Sequence, residues 1–201
     1  AWTTTNLITA NDTWSGVPGI VGYLGNYTAS SPTGVDPQTL LADYTTTDVD
    51  VIANQSNPNT LTAGGVAEFD GITNPTVALN GSGTADAPHL LIKIATTNRS
   101  NIRVQYNVRD LDSSSDDAIQ RVALHYRAGE SGNFTNVASA YVADATEANL
   151  ATLVTAVDVT LPAAADNQSV VYLLIITTNA AGNDVWVGID DISITGTASG
   201  P

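Results

Sequence analysis

The densest set of oxygen donors in the sequence is Asp110-Leu111-Asp112-Ser113-Ser114-Ser115-Asp116-Asp117, in which Asp110, Asp112, Asp116 and Asp117 supply four carboxylates within eight residues. Hard cations such as calcium take several oxygen ligands from one short loop, so this run is a candidate structural calcium site. It is not an EF-hand: counted from Asp110, Ser115 stands where that loop needs glycine and Arg121 where it needs the bidentate glutamate. The other reading of the same residues is a solvated hairpin turn, a common use of Asp and Ser. A second acidic feature lies in Val185-Trp186-Val187-Gly188-Ile189-Asp190-Asp191-Ile192, where a period of two places Asp191 in the same row as Val185, Val187 and Ile189. A carboxylate in an apolar row must be turned out by a bulge, meet donors, or bind a metal, which makes Asp190 and Asp191 further calcium candidates. Adjacent strand residues point to opposite faces, so the two do not suit a carboxylate pair working on one glycosidic bond.

Nucleophilic and metal-hydrolytic chemistry lacks its sequence signatures: there is no G-x-S-x-G, no H-E-x-x-H and no P-loop. Only His89 and His125 could serve as bases near neutral pH, and no nucleophile accompanies either in sequence. His125 alternates with Leu124 and Tyr126, which places it on the wet face of a strand, and no catalytic role is expected for either histidine. Aromatic side chains remain as platforms for sugar rings. Of Trp2, Trp14, Trp186 and the tyrosines, Trp14, Tyr23 and Tyr27 stand in the loop-rich first third and are the candidate glycan-binding residues.

The elements that must hold these residues are strands. Ile102, Val104, Tyr106 and Val108 alternate with Arg103, Gln105, Asn107 and Arg109, and Val122, Leu124 and Tyr126 repeat the pattern beyond the acidic loop. Leu90–Ala95 and Val170–Thr177 are more continuously apolar and read as central strands covered on both faces. Shorter strands are predicted at 7–10, 20–24, 49–53, 76–79, 154–161 and 185–194, with turn clusters such as Gly64-Gly65 and Asn80-Gly81-Ser82-Gly83 between them. One short helix is predicted at 37–43, capped by Asp36 and opened by Pro37. Many short strands without helical crossovers imply an all-β, jelly-roll-like antiparallel β-sandwich in a single domain. We expect an arm at 1–10, the sandwich at 11–196 and a loose tail at 197–201.

Composition agrees. Charged residues are 13% of the chain, while 27 Thr and 17 Asn meet water through neutral groups; Thr and Val favour extended backbone, and Asn and Gly favour turns. The net charge of −14 disfavours nucleic acid as a partner. Cysteine is absent, so no disulfide or thiol chemistry operates. The longest apolar run, Val170 to Ile176, is far below the roughly 20 residues of a membrane-spanning helix. A chain opening at Ala1 reads as an exported domain after removal of a signal peptide, located outside the cell or on its surface.

The stretches Ala123-Leu124-His125-Tyr126-Arg127-Ala128-Gly129, Leu161-Pro162-Ala163-Ala164-Ala165-Asp166-Asn167-Gln168, and Asn179 through the closing Gly188-Ile189-Asp190-Asp191-Ile192 carry a resemblance. They resemble a jelly-roll β-sandwich module of large secreted bacterial proteins, often beside extracellular nuclease, phosphatase or esterase domains. The resemblance implies a non-catalytic module with structural calcium near Asp190 or Asp191. Two function classes follow. In the first, copies of the chain assemble into a filament or surface layer. The uncharged arm with Trp2, Leu7 and Ile8 would add a donor strand to the next subunit, and bound cations would offset the repulsion between acidic subunits. In the second, the module binds extracellular polysaccharide through exposed aromatic rings, as an adhesion or accessory unit. The sequence reading favours assembly and keeps carbohydrate binding as the alternative.

Overall fold

The structure is a computed structural model that describes residues 2–26, 33–43, 48–115 and 117–198. Tyr27 and Asp116 lie outside the described residues, as do positions 1 and 199–201.

Two sheets face each other. The first has five strands in the order β1-β5-β10-β7-β8: β1 is Ile20–Tyr23, β5 His89–Ile94, β10 Val171–Thr177, β7 Val122–Ala128 and β8 Thr135–Asn136. The second has six, ordered β2-β3-β4-β11-β6-β9: β2 is Ile52–Gln55, β3 Gly65–Phe69, β4 Thr76–Asn80, β11 Val187–Ala198, β6 Arg99–Asp110 and β9 Val154–Thr160. All pairings are antiparallel except β2 with β3, which is parallel. Between the sheets the inward faces meet in one core, where Val104, Tyr106 and Val108 of β6 pack with Leu124, Leu173, Ile175 and Leu90 of the opposite sheet. The alternation read in the 102–109 and 122–127 strands is therefore the core-facing period.

The outer faces differ from expectation. On the five-stranded sheet, β7 is buried on both sides through Arg127, and His125 is 0% exposed rather than on a wet face. The cause is a strap, residues 33–43, lying across the sheet. The Thr178 hydroxyl donates to the Val35 carbonyl at 2.7 Å, Arg121 donates to the Gly34 carbonyl at 3.2 Å, and the Phe134 amide donates to the Leu41 carbonyl at 2.7 Å. The helix predicted at 37–43 is a single 3-10 turn, Pro37–Thr39, although its cap is as read: Asp36 accepts from the Gln38 amide at 3.0 Å. Leu40 instead packs, partly buried, against the apolar cluster of Leu91, Phe134 and Leu174.

On the six-stranded sheet a second satellite core forms around Trp186, 1% exposed, with Phe69, Ala67, Ala78 and Leu111. Its strand β3 was not predicted, because Gly64-Gly65 reads as a turn and Ala67-Glu68 carries little β-propensity. Burial on both faces decides it: all five residues are buried.

Residues 2–10 lie against the domain. Residues 7–10 are not a strand, Ile8 is 0% exposed inside the main core, and Trp2 and Leu7 pack against that core. The Trp2 indole donates to Glu68 Oε1 at 2.7 Å. An apolar segment with its own domain's core in reach buries itself there, and nothing in this packing supports its use as a donor strand. At the other end β11 continues through Thr197 and Ala198, paired with Ser100 and Arg99, where a loose tail was expected. No helix among the described residues is long and apolar enough to cross a membrane.

Candidate functional site

Cross-strand register assembles one surface site that no single stretch of sequence contains. Lys93 of β5 stands opposite Tyr172 of β10, and Tyr172 stands opposite Arg127 of β7. These three form a row on the outer face of the five-stranded sheet, and Phe134 extends it. Cations and rings alternate: Lys93 Nζ lies 5.3 Å from the Tyr172 centroid, and the Arg127 guanidinium lies 4.9 Å from Tyr172 and 4.5 Å from Phe134. Two residues along, Val21 pairs with Leu91 to give an apolar floor, and two further Tyr23 stands opposite His89. The row, the floor, Tyr23 and Asp43 of the strap line a groove of about 350 Å³.

Acids and bases in this groove are paired. Arg127, its side chain 5% exposed, binds Asp43 Oδ2 at 2.5 Å and donates to the Gly132 carbonyl at 3.0 Å. Lys93 Nζ contacts Glu130 Oε1 at 3.2 Å, and the Tyr172 hydroxyl donates to Glu130 Oε2 at 2.7 Å. Those hydrogen bonds, from Tyr172 first and Lys93 second, hold the Glu130 carboxyl below its usual pKa, so it is anionic at neutral pH. Burial, with Asp43 nearby, raises the Tyr23 phenol, which stays a neutral O–H donor. Behind Tyr23 the His89 ring stacks at 5.2 Å and 19°, with its Nδ1 2.9 Å from the Ala87 carbonyl. Burial pushes the His89 pKa down to about 4, so at pH 7 the ring is neutral and Nδ1 carries the hydrogen. A neutral ring behind the phenol fixes its plane without adding charge.

The groove therefore offers a partly exposed aromatic ring, an apolar floor and rows of preset donors and acceptors. That combination suits a polyhydroxylated ring, whose C–H face stacks on aromatic carbon while its hydroxyls meet charged hydrogen-bonding groups. A depression of about 360 Å³, lined by Asn57, Ile72, Arg109 and Leu111, has no aromatic ring, and two larger ones lack the combination too. One, about 420 Å³, is lined at the sandwich end by Ile94, Ile102, Ile194 and Arg99 without an aromatic ring. The other, about 390 Å³, has Trp186 in its wall, but that ring is buried.

Of the predicted glycan residues, Tyr23 is in the groove. Trp14 is not a surface platform: it is 6% exposed, and its indole donates to the Asp50 carbonyl at 3.0 Å beneath the turn before β1. Tyr172, in a strand read from sequence as covered on both faces, is half-buried in the groove wall. Lys93, Arg127, Glu130 and Asp43 were not predicted. The sequence carries one usable signal for them, the chain's single lysine and an arginine inside otherwise apolar strands.

Four of the six acidic candidates, Asp110, Asp112, Asp190 and Asp191, accept hydrogen bonds from protein donors. Asp110 is 3% exposed, accepts the Asp112 amide at 3.1 Å on Oδ1 and the Glu147 amide at 2.8 Å on Oδ2, and is pushed up to about 6 by burial. Asp112 accepts the Ser114 amide at 2.8 Å, and Asp117 is exposed. Asp190 is 2% exposed and bonds both Arg109 and Asn74 at 3.0 Å. Asp191 sits at φ +53° on a bulge and is turned out to solvent, where it accepts from Asn107 at 3.0 Å. The bulge changes the strand's parity, so Val187 and Ile189 face the core before it, and Ile192 and Ile194 pack on the core after it. Among the described residues no three His, Asp or Glu side chains converge as a metal-holding group.

No protein-family model and no curated protein matches the chain. Among solved structures, a family 28 carbohydrate-binding module specific for non-crystalline cellulose matches at 12% identity with a TM-score of 0.42, over 72% of this chain and 88% of that one. A family 61 module in complex with β-1,4-galactotriose matches at 13% identity and a TM-score of 0.37, over 61% of this chain and 71% of that one. A xylanase from Cellvibrio japonicus in complex with xylopentaose matches at 11% identity and a TM-score of 0.42, over 89% of this chain but 27% of its own length.

Proposed function

We propose that the chain is a carbohydrate-binding module of the extracellular space, and that the groove between Tyr23 and the Lys93–Tyr172–Arg127 row is its binding site. The observation that carries this reading is the preset acid–base wall beside a partly exposed ring: Arg127 held by Asp43, and Glu130 held by Lys93 and Tyr172. Side chains locked by one another lose little entropy when a ligand arrives, which favours binding of a weakly hydrophobic, hydroxyl-rich partner. Tyr23 contributes stacking and its phenol, and His89 fixes its plane.

Filament assembly through the first ten residues has no support in this arrangement, since Ile8 and Trp2 are already engaged inside the domain.

The test is affinity electrophoresis and titration calorimetry against a panel of soluble polysaccharides, with Tyr23→Ala beside the unaltered chain. At least one polysaccharide binds, and Tyr23→Ala weakens it by at least about tenfold, the loss of one stacked ring. Failure to bind any member of the panel, or binding indifferent to Tyr23→Ala and Glu130→Gln, sinks the proposal.

A further inference from the structure

We infer that the groove selects an uncharged saccharide and discriminates against uronate polymers. This rests on the carbohydrate-binding reading and concerns only the class of sugar.

Two of the chain's six cations, Lys93 and Arg127, lie in the groove, and each is neutralised there. Lys93 is paired with Glu130 and Arg127 with Asp43. The four charges sum to zero. A carboxylate brought between them meets each cation together with the acid already bound to it, so repulsion from the acid offsets much of the attraction, and nearly all of it at distances beyond the pair's own separation. The remaining charge of the chain, strongly negative, opposes a polyanion approaching through dilute salt.

A hydroxyl meets different chemistry. It donates one hydrogen and accepts on two lone pairs, so it can bridge an ammonium or guanidinium N–H and the neighbouring carboxylate together. Each ion pair of the groove is thus complementary to a hydroxyl, or to two vicinal ones, without having to separate. The Tyr172 hydroxyl already shows this use, since it donates to Glu130 beside Lys93. Tyr23 is held as a neutral phenol and adds a further donor and acceptor without charge.

The consequence is specific to the pairing. Glu130→Gln removes one carboxylate and leaves Lys93 without its acid, which gives the groove a net positive charge at an exposed position where folding is little affected. The probes are neutral polymers (xylan, galactan, mannan and mixed-linkage glucan) against polygalacturonate and alginate, each at 20 mM and 500 mM sodium chloride. The unaltered chain binds at least one neutral polymer at least tenfold more tightly than either uronate, and the salt change alters that affinity by less than twofold. In Glu130→Gln the uronates gain at least fivefold at low salt and lose it at high salt, while neutral binding weakens. If the unaltered chain prefers a uronate polymer, in a Tyr23-dependent way, the inference is overturned and the carbohydrate-binding reading stands. If no polymer binds, both fall. Far-ultraviolet circular dichroism of each variant confirms the fold, and Lys93→Gln, which gives the groove a net negative charge, repeats the test with opposite sign: uronate binding does not rise in it.

Discussion

Arg127→Met removes a guanidinium while keeping an unbranched apolar stem between Phe134 and Tyr172. The lost contacts are the Asp43 ion pair at 2.5 Å, the bonds to the Gly132 carbonyl at 3.0 Å and the Glu130 carbonyl at 3.4 Å, and the cation faces at 4.5 and 4.9 Å from the two rings. A hydrogen bond to a charged group contributes about 1.5–3 kcal/mol net, and a largely desolvated cation–π contact contributes up to about 2 kcal/mol. These do not add, because one group makes them all. Asp43 is 31% exposed on its side chain, so its carboxylate stays solvated and escapes the roughly 3–5 kcal/mol penalty of a fully buried charge that has lost its partner. The balance is a loss of about 3 kcal/mol, a fall in Tm of roughly 6–12 °C for a chain of this length. Urea unfolding reads it as a lower midpoint at unchanged slope. Asp43→Asn, which leaves the guanidinium its carbonyl partners and both rings, loses about 1 kcal/mol. A loss below about 1 kcal/mol for Arg127→Met would mean that the row is decoration and does not fasten the strap, and the reasoning about the groove's rigidity would be refuted.

The remaining predictions concern acid, the first ten residues and the bulge. His89 is fully buried with its pKa lowered to about 4, so its contribution to stability is complete above the ordinary value of 6.5 and is lost as pH falls toward 4. Asp50, Asp110 and Asp184, each raised to about 6 by burial, act in the opposite sense: their charged forms cost stability above pH 6, and that cost is relieved as pH falls toward 3.8. His89→Gln should therefore gain stability from pH 7 to 4.5 relative to the unaltered chain in urea melts; a parallel pair of curves would contradict this. Truncation through Ala10 empties the Ile8 site and strips the buried Glu68 of its Trp2 donor. We expect a loss of about 4 kcal/mol in the monomer, and an unchanged melt would restore the free-arm reading. Arg109→Met removes one bond to a charged group from the Asp190 side chain, 1% exposed, and costs about 1.5–3 kcal/mol. Adding Asp190→Asn should recover at least half of that, by thermal melts of the single and double variants.

What the sequence determined by itself was local. The period of two in 102–109 and 187–189, the Asp36–Pro37 cap, and the conflict between Asp191 and its apolar row all follow from side-chain chemistry over a few bonds, and the bulge is where that conflict is resolved. Apolar continuity in 90–95 and 170–177 likewise marked strands, which are covered on both faces over 90–92 and 173–177 while Lys93 and Tyr172 stay open on the outer face. What covers them was not legible: the strap reaches His125 from residues some ninety positions earlier in the chain, so a histidine on the polar side of an alternating strand became fully buried. The same holds for β3, whose weak propensity is overridden by packing, and for the arm, whose apolar residues found the core. The groove belongs wholly to this second kind. Lys93, Arg127 and Tyr172 are neighbours only because β5, β10 and β7 lie side by side in one register. Sheet order is set by the sum of long-range burial, and no short window of residues contains that sum.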